Sequence, residues 1–182
     1  MKLHANKKSL VLILLLFCFI SCVQTNKMDD YLISFSDEEN NDYGYKNKMG
    51  DTIIPPGKYT ICFTDTFKTY AIVFESSIGF VAIDRQENIL YKVYPFDNGP
   101  DYQSDGCFRI THENKIGFAE AESGKIIIEP QFDCAYPFEK GLAKVSINCQ
   151  AQSEGEHALW ISENWFYIDK TGKKFHSPTN TK

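Results

Sequence analysis

Ser123-Gly124-Lys125-Ile126-Ile127-Ile128-Glu129-Pro130-Gln131-Phe132-Asp133, followed by Tyr136-Pro137-Phe138-Glu139-Lys140-Gly141-Leu142-Ala143-Lys144-Val145, is the stretch whose reading decides the fold. A polar glycine turn leads into an apolar β-rich run, a proline interrupts it, and a second glycine turn opens another short apolar run, which is the hairpin signal. Upstream, Ile116-Gly117-Phe118 supplies the strand before the first turn. The same order recurs along the chain, and an internal period marks a supersecondary unit that buries its apolar face only by stacking on a neighbour.

The other copies follow from that template. The first opens at Tyr43-Gly44-Tyr45, turns through Asn47 to Asp51 and continues as Thr52-Ile53-Ile54-Pro55-Pro56. The second opens at Ile78-Gly79-Phe80, turns at Arg85 to Asn88 and continues as Ile89 to Val93. Third runs follow at Tyr70 to Phe74, Cys107 to Ile110 and Leu142 to Val145, and a partial copy opens at Trp165. The copies span 43–74, 78–111, 116–146 and 164–175. The expected fold is all-β, a short array of tandem hairpin or three-strand repeats with a signal helix ahead of it, because no apolar spacing of three and four is sustained beyond the leader. Pro55-Pro56, Pro95 and Pro130 are expected to stop their strands, since proline donates nothing to a ladder. Asn148 to Asn164 reads as a surface loop. Glycine at the opening position suits a bulge, a positive φ or the close approach of a neighbouring chain.

With those residues in hand, the chain resembles the WG-repeat family, whose unit opens with Trp-Gly and closes on Pro-x-aromatic-Asp and Phe-x-x-Gly-Leu-Ala. Gly124 to Asp133 and Phe138 to Ala143 carry the resemblance most fully. Tyr43, Ile78 and Ile116 stand where tryptophan is usual, and Phe166 takes the glycine position after Trp165. The resemblance implies a β-repeat module and supplies no common catalytic residues.

Lys2, Lys7 and Lys8 precede the apolar run Leu10 to Ile20, an export-signal pattern too short to span a bilayer. Phe19-Ile20-Ser21-Cys22 is similar to a bacterial lipobox, with Cys22 the acylated residue and residues 1–21 removed. Several acyl chains exceed the two-signal threshold for lasting attachment. The expected address is the bacterial cell envelope, lipid-anchored, in the outer rather than the inner membrane. Residues 22–42, rich in acids and amides, read as a solvated tether, with Tyr31 to Phe35 able to add a short strand. Residues 176–182 form a tail.

The formal charge is −5. Losing residues 1–21 removes three lysines and no acid, which deepens it to −8 and disfavours nucleic acid as a partner. Of six cysteines, Cys62, Cys107, Cys134 and Cys149 remain for the body, and packing is favoured over pairing, with no zinc-type spacing. His112, His157 and His176 lie apart in polar surroundings. Asp84, Asp133 and Asp169 are read as turn residues. Tyr91, Tyr94, Phe96, Tyr102, Phe132, Tyr136 and Phe138 are read as packing between repeats. No cofactor, metal or catalytic constellation is expected, and the chain reads as a non-enzymatic envelope lipoprotein that binds a protein or glycan. The alternative is a small hydrolase of glycan or cell-wall material using paired carboxylates; a weaker one is an inhibitor or immunity-type partner.

Overall fold

The computed structural model describes residues 31–37, 40, 42–154 and 157–175, with the side chains of 153, 154, 157 and 158 excluded. The signal segment, Cys22, most of the acidic tether and the tail from His176 therefore lie outside the described residues. Among the described residues every regular element is a strand, and none is a helix long and apolar enough to cross a membrane.

Four three-stranded antiparallel meanders carry the fold. Unit 1 is β1 (Leu32–Ser36), β2 (Tyr43–Lys46) and β3 (Thr52–Tyr59), after which come β4 (Ile61–Cys62) and β5 (Thr66–Phe67). Unit 2 is β6 (Ala71–Glu75), β7 (Gly79–Ile83) and β8 (Ile89–Val93), followed by β9 (Pro95–Phe96) and β10 (Gly99–Pro100). Unit 3 is β11 (Cys107–His112), β12 (Lys115–Glu120) and β13 (Ile126–Phe132), then β14 (Cys134–Ala135). Unit 4 is β15 (Ala143–Ser146), β18 (Phe166–Ile168) and β19 (Lys174–Phe175), with the hairpin of β16 (Gln150–Glu154) and β17 (His157–Ile161) inserted between its first two strands. The third run of each sequence copy thus pairs forward, onto the opening strand of the next: β6 with β7, β11 with β12, β15 with β18. β1 does the same for β2. It lies inside the stretch read as tether, at the short strand that Tyr31 to Phe35 allowed, because Leu32 is drawn into the core.

Register makes the units equivalent residue by residue. Tyr45 faces Ile54, Ala82 faces Tyr91, Phe118 faces Ile128 and Tyr167 faces Phe175. Side chains alternate across each strand, so one face looks forward to the next unit and the other back to the previous one. Forward-facing Tyr45 and Ile54 meet backward-facing Ala71, Val73 and Ile83 in one core. Ile72 and Ala82 meet Phe108, Ile110 and Ala119 in a second. Ile116, Phe118 and Ile128 meet Ala143, Val145 and Ile168 in a third. The hydrophobic interior is therefore a series of inter-unit interfaces, as expected of a repeat stack. Units 2 and 3 also share one seven-stranded sheet through β8 and β11.

The same register corrects the second copy. Position 44 matches 117 and, in unit 2, Val81 rather than Gly79. The glycine requirement comes from the opposite strand. Between Ile54 and Tyr59, Pro55 to Lys58 bulge opposite Gly44; between Ile128 and Phe132, Glu129 to Gln131 bulge opposite Gly117. A Cβ on Gly44 would lie 2.5 Å from the Ile54 carbonyl oxygen, and one on Gly117 would lie 2.5 Å from Pro130 N and closer still to the Ile128 oxygen. Opposite Val81 stands Lys92 without a bulge, and valine fits. Gly79 serves a different purpose, closing the β6–β7 turn at φ 101°.

Other expectations change as well. Pro55, Pro56 and Pro130 lie within β3 and β13 rather than ending them, because the bulge needs no donated ladder bond there; the strand of the second copy does end ahead of Pro95, at Val93. The supposed loop 148–164 holds the β16–β17 hairpin. Cys134 and Cys149 form a disulfide with Cα atoms 5.9 Å apart, whereas Cys62 and Cys107 are free and buried. Phe132 and Phe138 are core residues, but Phe96, Tyr102 and Tyr136 are exposed.

Turns repeat as faithfully as strands. Asn47 Oδ1 accepts from the backbone N–H of Met49 and Asp51, Asp84 Oδ1 from Gln86 and Asn88, and Asp169 Oδ1 from Thr171 and Lys173. Gly50, Glu87 and Gly172 take the same positive-φ position. Hydrogen bonds from their own turns hold the Asp84 and Asp169 carboxyls below the usual carboxylate range, led by the Asn88 and Thr171 side chains. Asp133 departs from the turn reading and binds Lys115 Nζ at 2.5 Å. The Gly-Leu-Ala ending is also a turn: Asp105-Gly106 and Lys140-Gly141 occupy positive φ between the bridges Ser104–Cys107 and Glu139–Leu142, the geometry of a type I′ hairpin.

Candidate binding surface

Both tryptophans of the chain meet on one side of units 3 and 4. Tyr94 leaves β8 and Tyr136 leaves β14, while Trp160 is carried in by β17 and Trp165 by the start of β18. Ring centroids step 6.3 Å from Tyr94 to Trp160, 5.2 Å on to Tyr136 and 5.5 Å on to Trp165. Cations sit over these rings: Arg109 over Tyr94 at 4.2 Å and Lys144 over Trp165 at 4.7 Å. Tyr136 is exposed, and Trp160 and Trp165 are half-buried.

The inserted hairpin is what completes the ridge. Its strands alternate, so Trp160 turns inward while Leu159 and Ile161 stay exposed. A two-stranded hairpin has little independent stability; here the Cys134–Cys149 bridge ties its base to β14, and Ser162 Oγ donates to the Asn148 carbonyl at 2.7 Å. The loop closed by that disulfide spans 15 residues, a constraint worth about 3 kcal/mol.

Beneath the ridge lies a buried ion pair that the sequence did not signal. Asp101 Oδ2 accepts from Arg109 N at 2.7 Å and Nε at 2.9 Å, and Oδ1 accepts from Nη2 at 2.5 Å. Arg109 Nη1 donates to the Ala135 carbonyl at 3.1 Å. Arg109 occupies a forward-facing position that an aliphatic residue, Ile72, fills in unit 2. The pair fixes the long 94–106 connection, and no spacing rule links Asp101 to Arg109 in advance.

Two grooves flank the rings. One, about 690 Å³, has Tyr94 and Trp160 as walls and Lys92, His112, Asn114 and Asp133 on its rim. The other, about 330 Å³, is lined by Tyr136, Leu142, Lys144 and Tyr167. Both fall within the usual size range of ligand clefts or at its lower end. Ring faces bordered by mixed charges stack on planar or pyranose surfaces and hydrogen-bond polar groups around them. His112 is exposed on this rim, its Nε2 3.8 Å from Glu113; the side chain of His157, and all of His176, lie outside the described residues. Among the described residues no three of His, Cys, Asp and Glu converge as a metal site would require. Cys62 is no nucleophile candidate, since burial pushes its thiol up to about 11.

Comparison with curated proteins and with solved structures finds no match for the chain. The family model for the WG containing repeat matches residues 43–64 and 121–148, which hold the two proline bulges β3 and β13, and leaves out unit 2, where the bulge is missing. Four stacked meanders, glycines seated against proline bulges and two matches to the repeat model agree, and the chain carries WG repeats at those two stretches.

Proposed function

We propose that the protein is a non-enzymatic, lipid-anchored envelope module that binds its partner through the aromatic ridge. The observation that carries this reading is the convergence of Tyr94, Trp160, Tyr136 and Trp165, from four different segments, into one ring series between two grooves. Exposed aromatic and cationic side chains of this kind dominate binding energetics. The hydrolase alternative finds less support, because Asp101 is taken up by Arg109 and Asp133 by Lys115. An oxidised Cys134–Cys149 pair suits a compartment outside the cytosol, in keeping with the leader and the acylation expected at Cys22.

Because both tryptophans lie in the ridge, intrinsic fluorescence reports directly on its occupancy. Titration with fractionated envelope glycans and peptides is expected to shift tryptophan emission saturably for one fraction, and Trp160→Ala is expected to weaken that binding at least about tenfold, or 1.4 kcal/mol. No saturable response to any fraction would remove the proposal. Cys22→Ala is expected to move the protein from the membrane to the soluble fraction, and unchanged fractionation would remove the anchor.

A further inference from the structure

The three internal interfaces define what a forward face takes. In unit 3 its apolar positions are Cys107, Ile116, Phe118 and Ile128, all at most 5% exposed under the backward face of unit 4. The equivalent residues of unit 4 are Leu142, Trp165, Tyr167 and Phe175, and all four are half-buried. Tyr136 and Lys144 reach Trp165, but among the described residues no further unit stacks on this face, and the shallow groove over Tyr136, Leu142, Lys144 and Tyr167 lies on it.

At the other end, no unit among the described residues stacks on the backward face of unit 1. Ile33, Phe35 and Lys46 stand where units 2, 3 and 4 carry buried residues: Ala71, Val73 and Ile83, then Phe108, Ile110 and Ala119, then Ala143, Val145 and Ile168. All three are half-buried, with Lys46 Nζ 5.5 Å from the Phe35 ring centroid. Charge distinguishes the two ends. Residues 29–42, which contain β1, hold six acids and no Lys or Arg, whereas 165–175 hold three lysines against one acid, with Lys140 and Lys144 beside them.

We propose that the forward face of unit 4 receives the backward face of unit 1 from a second copy of this chain, so that copies stack head to tail in the register already used three times inside each one. Phe35 and Ile33 of the incoming copy cover Trp165, Tyr167 and Phe175, Lys46 meets the ring faces, and Asp37 and Asp42, which flank the β1–β2 connection, lie against the lysines of unit 4. An interface of this kind is heterologous, and its repetition yields short linear stacks. It takes up the Trp165 end of the ridge and the smaller groove, and leaves the larger groove beside Trp160 and Tyr94 open to a ligand.

The test is sedimentation of the full chain in density-matched detergent across the micromolar range. Wild type is expected to grow in mass with concentration, and raising the salt to 1 M, where the Debye length is about 3 Å, is expected to weaken association about tenfold. Tyr167→Lys blocks the forward face and Phe35→Lys the backward face; each alone is expected to remain monomeric, yet a mixture of the two is expected to form a one-to-one dimer through the two intact faces. The milder Lys144→Glu, on the surface of unit 4, is expected to weaken assembly without altering thermal stability. A monomeric wild type, single variants that assemble like wild type, or a mixture that stays monomeric would each overturn the proposal.

Discussion

Units 2 and 3 share a sheet and a register, yet they solve the opening strand in opposite ways. Unit 3 places three residues, Glu129 to Gln131, opposite Gly117; unit 2 places the single residue Lys92 opposite Val81. The bulge in unit 3 swings backbone into the space that a Cβ needs, so glycine there is a steric demand of the partner strand. Where the bulge is missing the space is vacant, and Val81 fills it, fully buried. A repeat signature can therefore belong to two strands at once, and the loss of one half permits the loss of the other.

Several substitutions break or sharpen that comparison. The largest effect is expected at the ion pair that distinguishes the interface ahead of unit 3 from the apolar one ahead of unit 2: Asp101→Ala leaves Arg109 buried and unpaired and is expected to cost about 3–5 kcal/mol in chemical denaturation. Replacing the two together, as Asp101→Leu with Arg109→Met, is expected to recover much of that loss, as the aliphatic Ile72 of unit 2 implies. Gly117→Val is expected to cost about 3 kcal/mol, through backbone displacement at Ile128 and Pro130. Its mirror, Val81→Ala, removes two buried methyl-sized groups without any clash and is expected to cost about 2 kcal/mol; equal penalties for Gly117→Val and for valine at an unbulged site would contradict the bulge argument.

Acid titration separates the turns. Asp84 and Asp169 have folded-state carboxyls held below the usual range, so the stability they contribute is present above the ordinary carboxylate pKa and is lost as pH falls through that range toward the lowered values. The equivalent Asn47 carries no such dependence. Asp84→Asn and Asp169→Asn are expected to flatten the acid limb of a melting-temperature profile, and an unchanged limb would remove these turns as its source. The smallest effect is expected at Glu87→Gly, which relieves a positive φ of 63° but gives up the exposed 2.7 Å link to Lys58. These terms oppose each other at about 1 kcal/mol or less each, and the melting point is expected to move little.

Much of this was legible in advance where a feature is local. The Gly124 to Asp133 pattern announces a turn, a strand and a proline irregularity because each depends on near neighbours in the chain. The equivalence of Cys107 with Leu142 was legible for the same reason: both follow a glycine that closes a two-residue turn. Copy 2 was misread by two residues because Gly79 sits near the right spacing, and only the ladder from Ala82 to Tyr91 shows that Val81 holds the position. The disulfide was missed because four cysteines allow three pairings and nothing local selects among them. The ridge was missed for a related reason: Tyr94 and Trp160 lie 66 positions apart, and the hairpin that joins them reads as polar loop.

The sequence by itself determined that this is a β-repeat chain carrying WG repeats, with turns at fixed places, because turn chemistry and strand alternation act over a few residues. The tertiary structure alone decided which face of each strand looks forward, which cysteines pair, where Arg109 finds its carboxylate and which aromatics stay exposed. Those outcomes depend on the stacking of one unit on the next, and the free energy of stacking resides in contacts between residues that the chain order keeps far apart.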